Sequence, residues 1–89
     1  MMAGPLELEA QATPNPNALK FTLNRVVAAQ GTTYRDASQA AGWARELLGL
    51  PGVTQVFALQ QFISVTKRPE ADWSQIGPQV EQILKQAFA

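Results

Sequence analysis

Thr13–Phe21 reads Thr-Pro-Asn-Pro-Asn-Ala-Leu-Lys-Phe. Two prolines that alternate with two asparagines disfavour both a helix interior and a central strand. The residues from Leu19 to Leu23 then alternate between apolar and polar side chains, which is typical of a strand with one buried face. We therefore predict a rigid polar corner that leads directly into a β-strand.

Strands are predicted on both sides of this corner. Every second residue of Leu6–Ala12 is apolar and the residues between them are polar, which predicts a strand with its apolar side facing the core. After the corner, a strand at about Leu19–Asn24 is expected to bury alternate residues. These core-facing residues are Leu19, Phe21 and Leu23.

Signals for a turn and a helix follow. Gln30-Gly31 is typical of a turn, and Thr32–Tyr34 is predicted to add a short edge strand. Asp36, with Gln39 three residues later, resembles a capping box, so a helix is expected from about residue 37. The predicted apolar face of this helix comprises Ala40, Trp43, Ala44, Leu47 and Leu48.

The end of this helix is predicted at Gly49, in left-handed geometry, and Pro51-Gly52 is expected to turn the chain. Two strands, Val53–Leu59 and Phe62–Lys67, are then predicted to form a hairpin with Gln60-Gln61 near its tip.

The register of this hairpin has two alternatives. With a two-residue loop, Leu59 lies opposite Phe62, and the face that holds Phe57 and Phe62 points away from the helices. Gln60-Gln61 is unfavourable for a tight turn, and a shift by one residue would bury Phe57 and Phe62 instead. In the first alternative the core face carries Val56, Ala58, Ile63 and Val65.

A final helix completes the predicted fold. Its cap is expected at about Ser74, so that Pro78 falls within the first turn. The apolar residues at helical spacing are Trp73, Ile76, Val80, Ile83, Leu84 and Ala87. The order ββαββα predicts an α+β two-layer sandwich: an antiparallel sheet of four or more strands with two helices on one face.

Length and composition restrict the class of protein. The 89 residues fit one domain over residues 1–89, and a hydrophobic content of 46% is typical of a globular chain. Lysine and arginine total 7, as do aspartate and glutamate, so no cationic excess favours nucleic acid. We recognise neither a membrane-spanning segment nor a signal peptide. We therefore expect a cytoplasmic protein that binds neither nucleic acid nor membrane.

The chain contains no cysteine and no histidine. This removes thiolate chemistry, the commonest metal ligand and the commonest general base. We therefore expect no enzymatic activity, no metal site and no cofactor. Lys20 acting with Glu7 or Glu9 is the one enzymatic alternative, and a solvated strand face explains these residues more simply.

Five residues are candidates for binding a partner or ligand. On the sheet face away from the helices, Phe57 and Phe62 would form an exposed aromatic patch, and such patches often mark a partner site. At the corner, Asn15, Asn17 and Lys20 would bind an anion or a peptide carboxylate, or would serve turn formation alone.

Thr13–Phe21 resembles the opening motif of the N-terminal domain of Nfu/NifU-type iron–sulfur cluster scaffold proteins. Further matching motifs follow in the same order, and the resemblance extends from about Thr13 to the C-terminus. These motifs are Leu50-Pro51-Gly52-Val53, Val56-Phe57, Phe62–Lys67 and Asp72-Trp73. The resemblance implies a compact α/β domain and a place in iron–sulfur cluster assembly.

In full-length scaffolds of this family, a Cys-x-x-Cys motif in a separate C-terminal domain holds the cluster. This chain departs from that pattern because it has no cysteine, and a cluster needs thiolate ligands. We therefore expect a stand-alone, accessory version of the N-terminal domain that binds a protein partner from the iron–sulfur assembly machinery. The alternative is a sensor domain for a small ligand or an anion. The oligomeric state is left open.

Overall fold

The computed structural model describes residues 5–40 and 42–88. Within these ranges the chain forms five strands and two α-helices, with a single 3-10 turn at Ala37–Gln39 before the first helix. The strands are β1 (Leu8–Ala12), β2 (Ala18–Leu23), β3 (Ala28–Tyr34), β4 (Val53–Gln60) and β5 (Phe62–Lys67); the helices are α1 (Trp43–Leu48) and α2 (Trp73–Phe88).

The five strands form one antiparallel sheet in the spatial order β1-β2-β5-β4-β3. Both helices pack on the same face of this sheet through buried apolar residues of α1 and α2. The predicted two-layer α+β sandwich is therefore confirmed. No helix in the described part of the chain is long and apolar enough to span a membrane.

The hairpin register is the one predicted for a two-residue loop. Leu59 lies opposite Phe62 and Ala58 opposite Ile63, so the alternative register shifted by one residue is wrong. Gln60 accommodates the tight turn by adopting a positive φ of 56°. The fully buried side chains that result include Phe21, Leu47, Val56, Ile63, Val65, Val80 and Leu84.

β1 forms as predicted, but its burial was predicted wrongly. Ala10 and Ala12 are exposed, although they lie on the core side of the sheet. Leu6 and Leu8, in contrast, pack against the core. β1 lies at the edge of the sheet, and the core packs against its Leu8 end while Ala10 and Ala12 are left uncovered.

The first helix is shorter than predicted. Asp36 does act as a cap, but it caps the 3-10 turn, by accepting a hydrogen bond from the Ser38 amide at 2.9 Å. The chain is extended at Ala40, and Gly42 takes a φ of 62° immediately before α1. This break divides the apolar pattern that predicted one continuous helix.

Left-handed geometry occurs at Gly52 and not at Gly49. Gly49 ends α1 in right-handed geometry, with a φ of −78°. Gly52 has a φ of 94° in the turn that the Val53 amide closes by donating to the Leu50 carbonyl. Proline at the second position and a positive φ at the third are typical of a type II turn, which confirms the predicted turn at Pro51-Gly52.

α2 begins earlier than predicted. Its N-cap is Asp72, whose carboxylate accepts a hydrogen bond from the Ser74 amide at 2.9 Å. Trp73 is consequently the first residue of α2, and Pro78 lies inside the helix instead of in its first turn. Of the predicted apolar stripe of α2, Ile76, Val80 and Leu84 are buried and Trp73 and Ile83 are half-buried, whereas Ala87 is exposed.

Candidate functional sites on the sheet face and at the corner

The sheet face away from the helices carries an apolar cluster. Phe57 and Leu59 on β4 and Phe62 on β5 are half-buried, and none of them belongs to the core under the helices. The Phe57 and Phe62 rings pack together with their centroids 6.0 Å apart. The register of the hairpin brings them together, because alternate residues of a strand share a face.

The Phe57 ring lies against the backbone of β3 at Gly31, which has no side chain. A Cβ atom at Gly31 would lie 3.2 Å from Cζ of Phe57, so the ring occupies the space that a side chain on β3 would fill. Gln30-Gly31 was predicted as a turn, and this prediction is wrong because both residues belong to β3. The glycine instead allows an aromatic ring to lie close to the strand backbone.

Lys20 joins this cluster from β2. Its Nζ atom lies over the Phe62 ring, 4.6 Å from the centroid, which is a cation–π distance. Beyond Phe57, the Arg35 Nε atom donates a hydrogen bond to Gln55 Oε1 at 2.9 Å. We call Lys20, Phe57, Leu59 and Phe62 the aromatic patch.

The proline–asparagine corner, Thr13–Asn17, is built from its own hydrogen bonds. The Asn15 amide donates to Thr13 Oγ1 at 3.1 Å, and the Asn17 amide donates to Asn15 Oδ1 at 2.9 Å. The Ala18 amide closes the turn on the Asn15 carbonyl at 3.0 Å. These side-chain oxygens are therefore engaged in turn formation, as is usual for Asn and Thr in turns.

Lys67 attaches the corner to the sheet. It is 8% exposed, and its Nζ atom donates to Asn17 Oδ1 and to the Arg68 carbonyl, both at 3.2 Å. Trp73 adds a second attachment, because its indole nitrogen donates to the Pro16 carbonyl at 3.1 Å. The ammonium also lies 5.8 Å from the Trp73 ring centroid. The corner is thereby joined to β5 and to the first residue of α2.

Asp72 completes this end of the molecule. Hydrogen bonds from the backbone and then the hydroxyl of Ser74 hold the pKa of the Asp72 carboxyl below its ordinary value, and Lys67 acts weakly in the same direction. Asp36 behaves similarly, because hydrogen bonds from the Ser38 hydroxyl and backbone lower its pKa. Both carboxylates cap turns or helices and are exposed.

The candidate residues therefore occupy two places. Asn15 and Asn17 lie in the corner, whereas Lys20 lies with Phe57 and Phe62 on the aromatic patch. The structure does not bring Lys20 together with the two asparagines in one anion site.

Lys67 was not singled out from the sequence, although strand alternation could have identified it. Ile63, Val65 and Lys67 are alternate residues of β5, and all three are buried on the core side. A lysine at the end of an apolar alternation predicts a buried ammonium with polar partners.

An open cleft of about 300 Å³ lies beside β1, lined by the residues Glu7, Leu8, Glu9, Thr22, Leu23 and Asn24. Within residues 5–40 and 42–88, no group of three or more Asp and Glu residues has the arrangement of a metal site.

The motifs quoted above meet in space at one end of the sheet. Asn17 of the corner contacts Lys67 at the end of β5, and Pro16 contacts Trp73. Gly52 also lies at this end, because its carbonyl accepts a hydrogen bond from the Arg68 amide at 2.7 Å. Sequence motifs that are far apart along the chain thus form one structural unit.

Comparison with known proteins places these features in a family. The family model described as the scaffold protein Nfu/NifU N terminal matches residues 8–89. The mitochondrial NFU1 iron–sulfur cluster scaffold homologue of Drosophila persimilis is 35% identical over 86 residues, and that of Drosophila willistoni is 36% identical. Each alignment covers 92% of this chain and 30% of the relative, so the chain spans about a third of these relatives' length.

Solved structures share the fold described above. A crystal structure of a Staphylococcus aureus protein has a TM-score of 0.75 and 33% identity, over 88% of this chain and 98% of the other. The solution structure of a NifU-like protein from Saccharomyces cerevisiae has a TM-score of 0.80 over 97% of this chain and 82% of the other. At 21% identity, the yeast protein shows the shared fold alone.

Proposed function

The chain belongs to the family of Nfu/NifU scaffold N-terminal domains, and on this premise we propose that it is a non-catalytic, protein-binding module in iron–sulfur cluster assembly or transfer. The cluster is then cargo held by another protein. Thiolates are the usual ligands of cluster iron and histidine is the common substitute, and the 89 residues contain neither.

The aromatic patch is the observation that carries this proposal. Half-buried aromatic side chains on an open sheet face are the kind of surface at which proteins bind one another. Phe57 and Phe62 would supply the apolar contact, and Lys20 would supply a charge beside it. Asn15 and Asn17 contribute less in this proposal, because hydrogen bonds within the corner and with Lys67 already occupy their side-chain oxygens.

The proposal is tested by titrating isotope-labelled protein with a purified, cysteine-containing Nfu-type scaffold domain, with and without its cluster. We expect chemical-shift changes at Lys20 and at residues 57–62, and the Phe62→Thr variant should weaken binding about tenfold or more. Ile83→Thr is the control, because Ile83 is also half-buried but lies on the helix side.

Two results would contradict this proposal. One is the absence of shift changes with both forms of the scaffold. The other is a loss of affinity in the Ile83 variant with none in the Phe62 variant, which would place the interface on the helices.

The sensor alternative makes a different prediction. A small ligand that binds the folded state would raise the melting temperature in a screen of metabolites and anions, without any protein partner. A cytoplasmic location stays a prediction, and the mitochondrial location printed for the Drosophila relatives applies to those proteins.

A further inference from the structure

The charges of the open sheet face are arranged asymmetrically around the aromatic patch. In one row across the sheet, Lys20 lies opposite Ser64, Ser64 opposite Phe57, and Phe57 opposite Thr33. Arg35 follows Thr33 by two residues, and its guanidinium reaches Gln55 on β4. At a spacing of about 4.8 Å between strands, cations thus flank the aromatic rings across about 14 Å of sheet.

The carboxylates of this face lie on one side of the aromatic patch, at the β1 edge of the sheet. Glu9 is on β1, opposite Thr22, and Glu7 precedes it along the same edge of the sheet. In the described part of the chain, neither Lys20 nor Arg35 forms an ion pair with a carboxylate. Glu9 is nonetheless the diagonal cross-strand neighbour of Lys20 on this face, because it lies opposite Thr22, so a carboxylate lies near the Lys20 ammonium without forming an ion pair with it.

The side chains of the aromatic patch are already held in place. Phe57 lies against Gly31, and Phe62 is held between the Phe57 ring and the Lys20 ammonium. Binding to side chains that are ordered beforehand costs less conformational entropy than binding to free ones. The rings and the ammonium therefore present a fixed pattern of apolar and positive groups.

We infer that the aromatic patch binds a partner segment in which a carboxylate stands next to an aromatic or aliphatic side chain. The apolar side chain packs on Phe57 and Leu59, and the carboxylate pairs with Lys20. Glu9 at the β1 edge repels the carboxylate and sets the direction of the segment. This inference rests on the proposed function and names the chemistry of its partner.

Other occupants fit the charges less well. A nucleic acid would bring a continuous row of phosphates over Glu7 and Glu9, and the net charge of the chain is zero. A second copy of this chain carries its carboxylates, Glu7 and Glu9, at the sheet edge and not next to its aromatic rings. It therefore lacks the pairing of a carboxylate with an adjacent apolar side chain on one segment. Self-association that buries Phe62, measured by sedimentation and chemical shifts, would overturn the inference.

The test uses three short synthetic peptides, blocked at both ends, that share the pattern Gly-X-Phe-X-Leu-Gly with X as Glu, Gln or Lys. Binding is measured by chemical-shift titration of the full chain. We expect the Glu peptide to bind about twofold to fivefold more tightly than the Gln peptide and the Lys peptide to bind most weakly. Raising the salt from about 50 to about 300 mM should reduce this preference.

Charge reversal provides the sharper comparison. Lys20→Glu should abolish the preference for the Glu peptide and favour the Lys peptide. Lys85→Glu, the same change on an exposed position of α2, should leave the order of the peptides unchanged. Equal binding of all three peptides, or a preference that survives Lys20→Glu, would overturn the inference.

The inference and the proposed function fail in different ways. If the scaffold domain binds through Phe62 while the peptides show no charge preference and Lys20→Glu retains scaffold affinity, the inference is wrong and the proposed function stands. If the Glu peptide is preferred through Lys20 but the scaffold domain does not bind, the inference stands and the proposed function is wrong.

Discussion

Replacing Lys67 by methionine tests whether a buried ammonium holds the corner to the sheet. Methionine keeps an unbranched, mostly apolar side chain, so packing of the stem is retained while the charge and its donors are lost. The Asn17 side-chain oxygen and the Arg68 carbonyl would each lose a donor that now lies 3.2 Å away.

The magnitude follows from these contacts. Hydrogen bonds from a charged donor contribute about 1.5–3 kcal/mol each, so the two bonds of Lys67 represent about 3–6 kcal/mol. The desolvation cost of the ammonium, which is 8% exposed, is removed by the same substitution and offsets a large part of that loss. We expect a net loss of about 1–3 kcal/mol in the free energy of unfolding.

Urea unfolding followed by circular dichroism measures this loss. For a domain of this size, each kcal/mol should also lower Tm by about 4–8 °C. Lys85→Met is the control, because Lys85 is exposed on α2 and should change stability by less than about 0.5 kcal/mol. If Lys67→Met is as stable as the unsubstituted chain, the ammonium does not stabilise the corner, and the contacts of Thr13 and Trp73 hold it alone.

Two further predictions concern pH and the turn. Hydrogen bonds lower the pKa values of Asp36 and Asp72, so each carboxylate should stabilise the fold fully above the ordinary pKa of aspartate, and this contribution should be lost as pH falls through the lowered pKa. Urea unfolding should show that Asp72→Asn lowers the free energy of unfolding at neutral pH. At strongly acidic pH this variant and the unsubstituted chain should be equally stable. A difference in stability that does not change with pH would contradict this prediction. Gly52→Ala should lose more than about 1 kcal/mol, since its Cβ would lie 2.7 Å from that of Ala71 at a φ of 94°, whereas Gly49→Ala should be neutral or stabilising. Equal stabilities of the two glycine variants, measured by thermal unfolding, would refute the assignment of the left-handed residue.

Much of the sheet was predictable because period-two alternation depends on burial of one face. β2 and the hairpin of β4 and β5 lie at the centre of the sheet, where the register determines which side chains are buried. The same reasoning placed Phe57 and Phe62 on the open face in one of the two alternatives considered. The pattern was less reliable at β1, because an edge strand can keep the alternation without full burial of its apolar side.

The remaining errors have local physical causes. The pattern around Ala40 was helical, but residue spacing does not show that Gly42 takes a positive φ and divides the segment. The assignment of Gly31 to a turn failed because the ring that fills its empty side, Phe57, lies on another strand. Contacts of this kind depend on tertiary structure, which neither propensity nor periodicity contains.

The spatial order of the strands also bears on how the domain assembles. β5 is the last strand along the chain, yet it lies at the centre of the sheet and pairs with both β2 and β4. The β1–β2 hairpin therefore cannot join the rest of the sheet until β5 has been synthesised. The residues of α2 are synthesised later still. Pairing across such a separation in sequence is slow and cooperative. A chain cut before Phe62 would lose the centre of its sheet together with α2, and the β1–β2 and β3–β4 pairs would have no strand to join them.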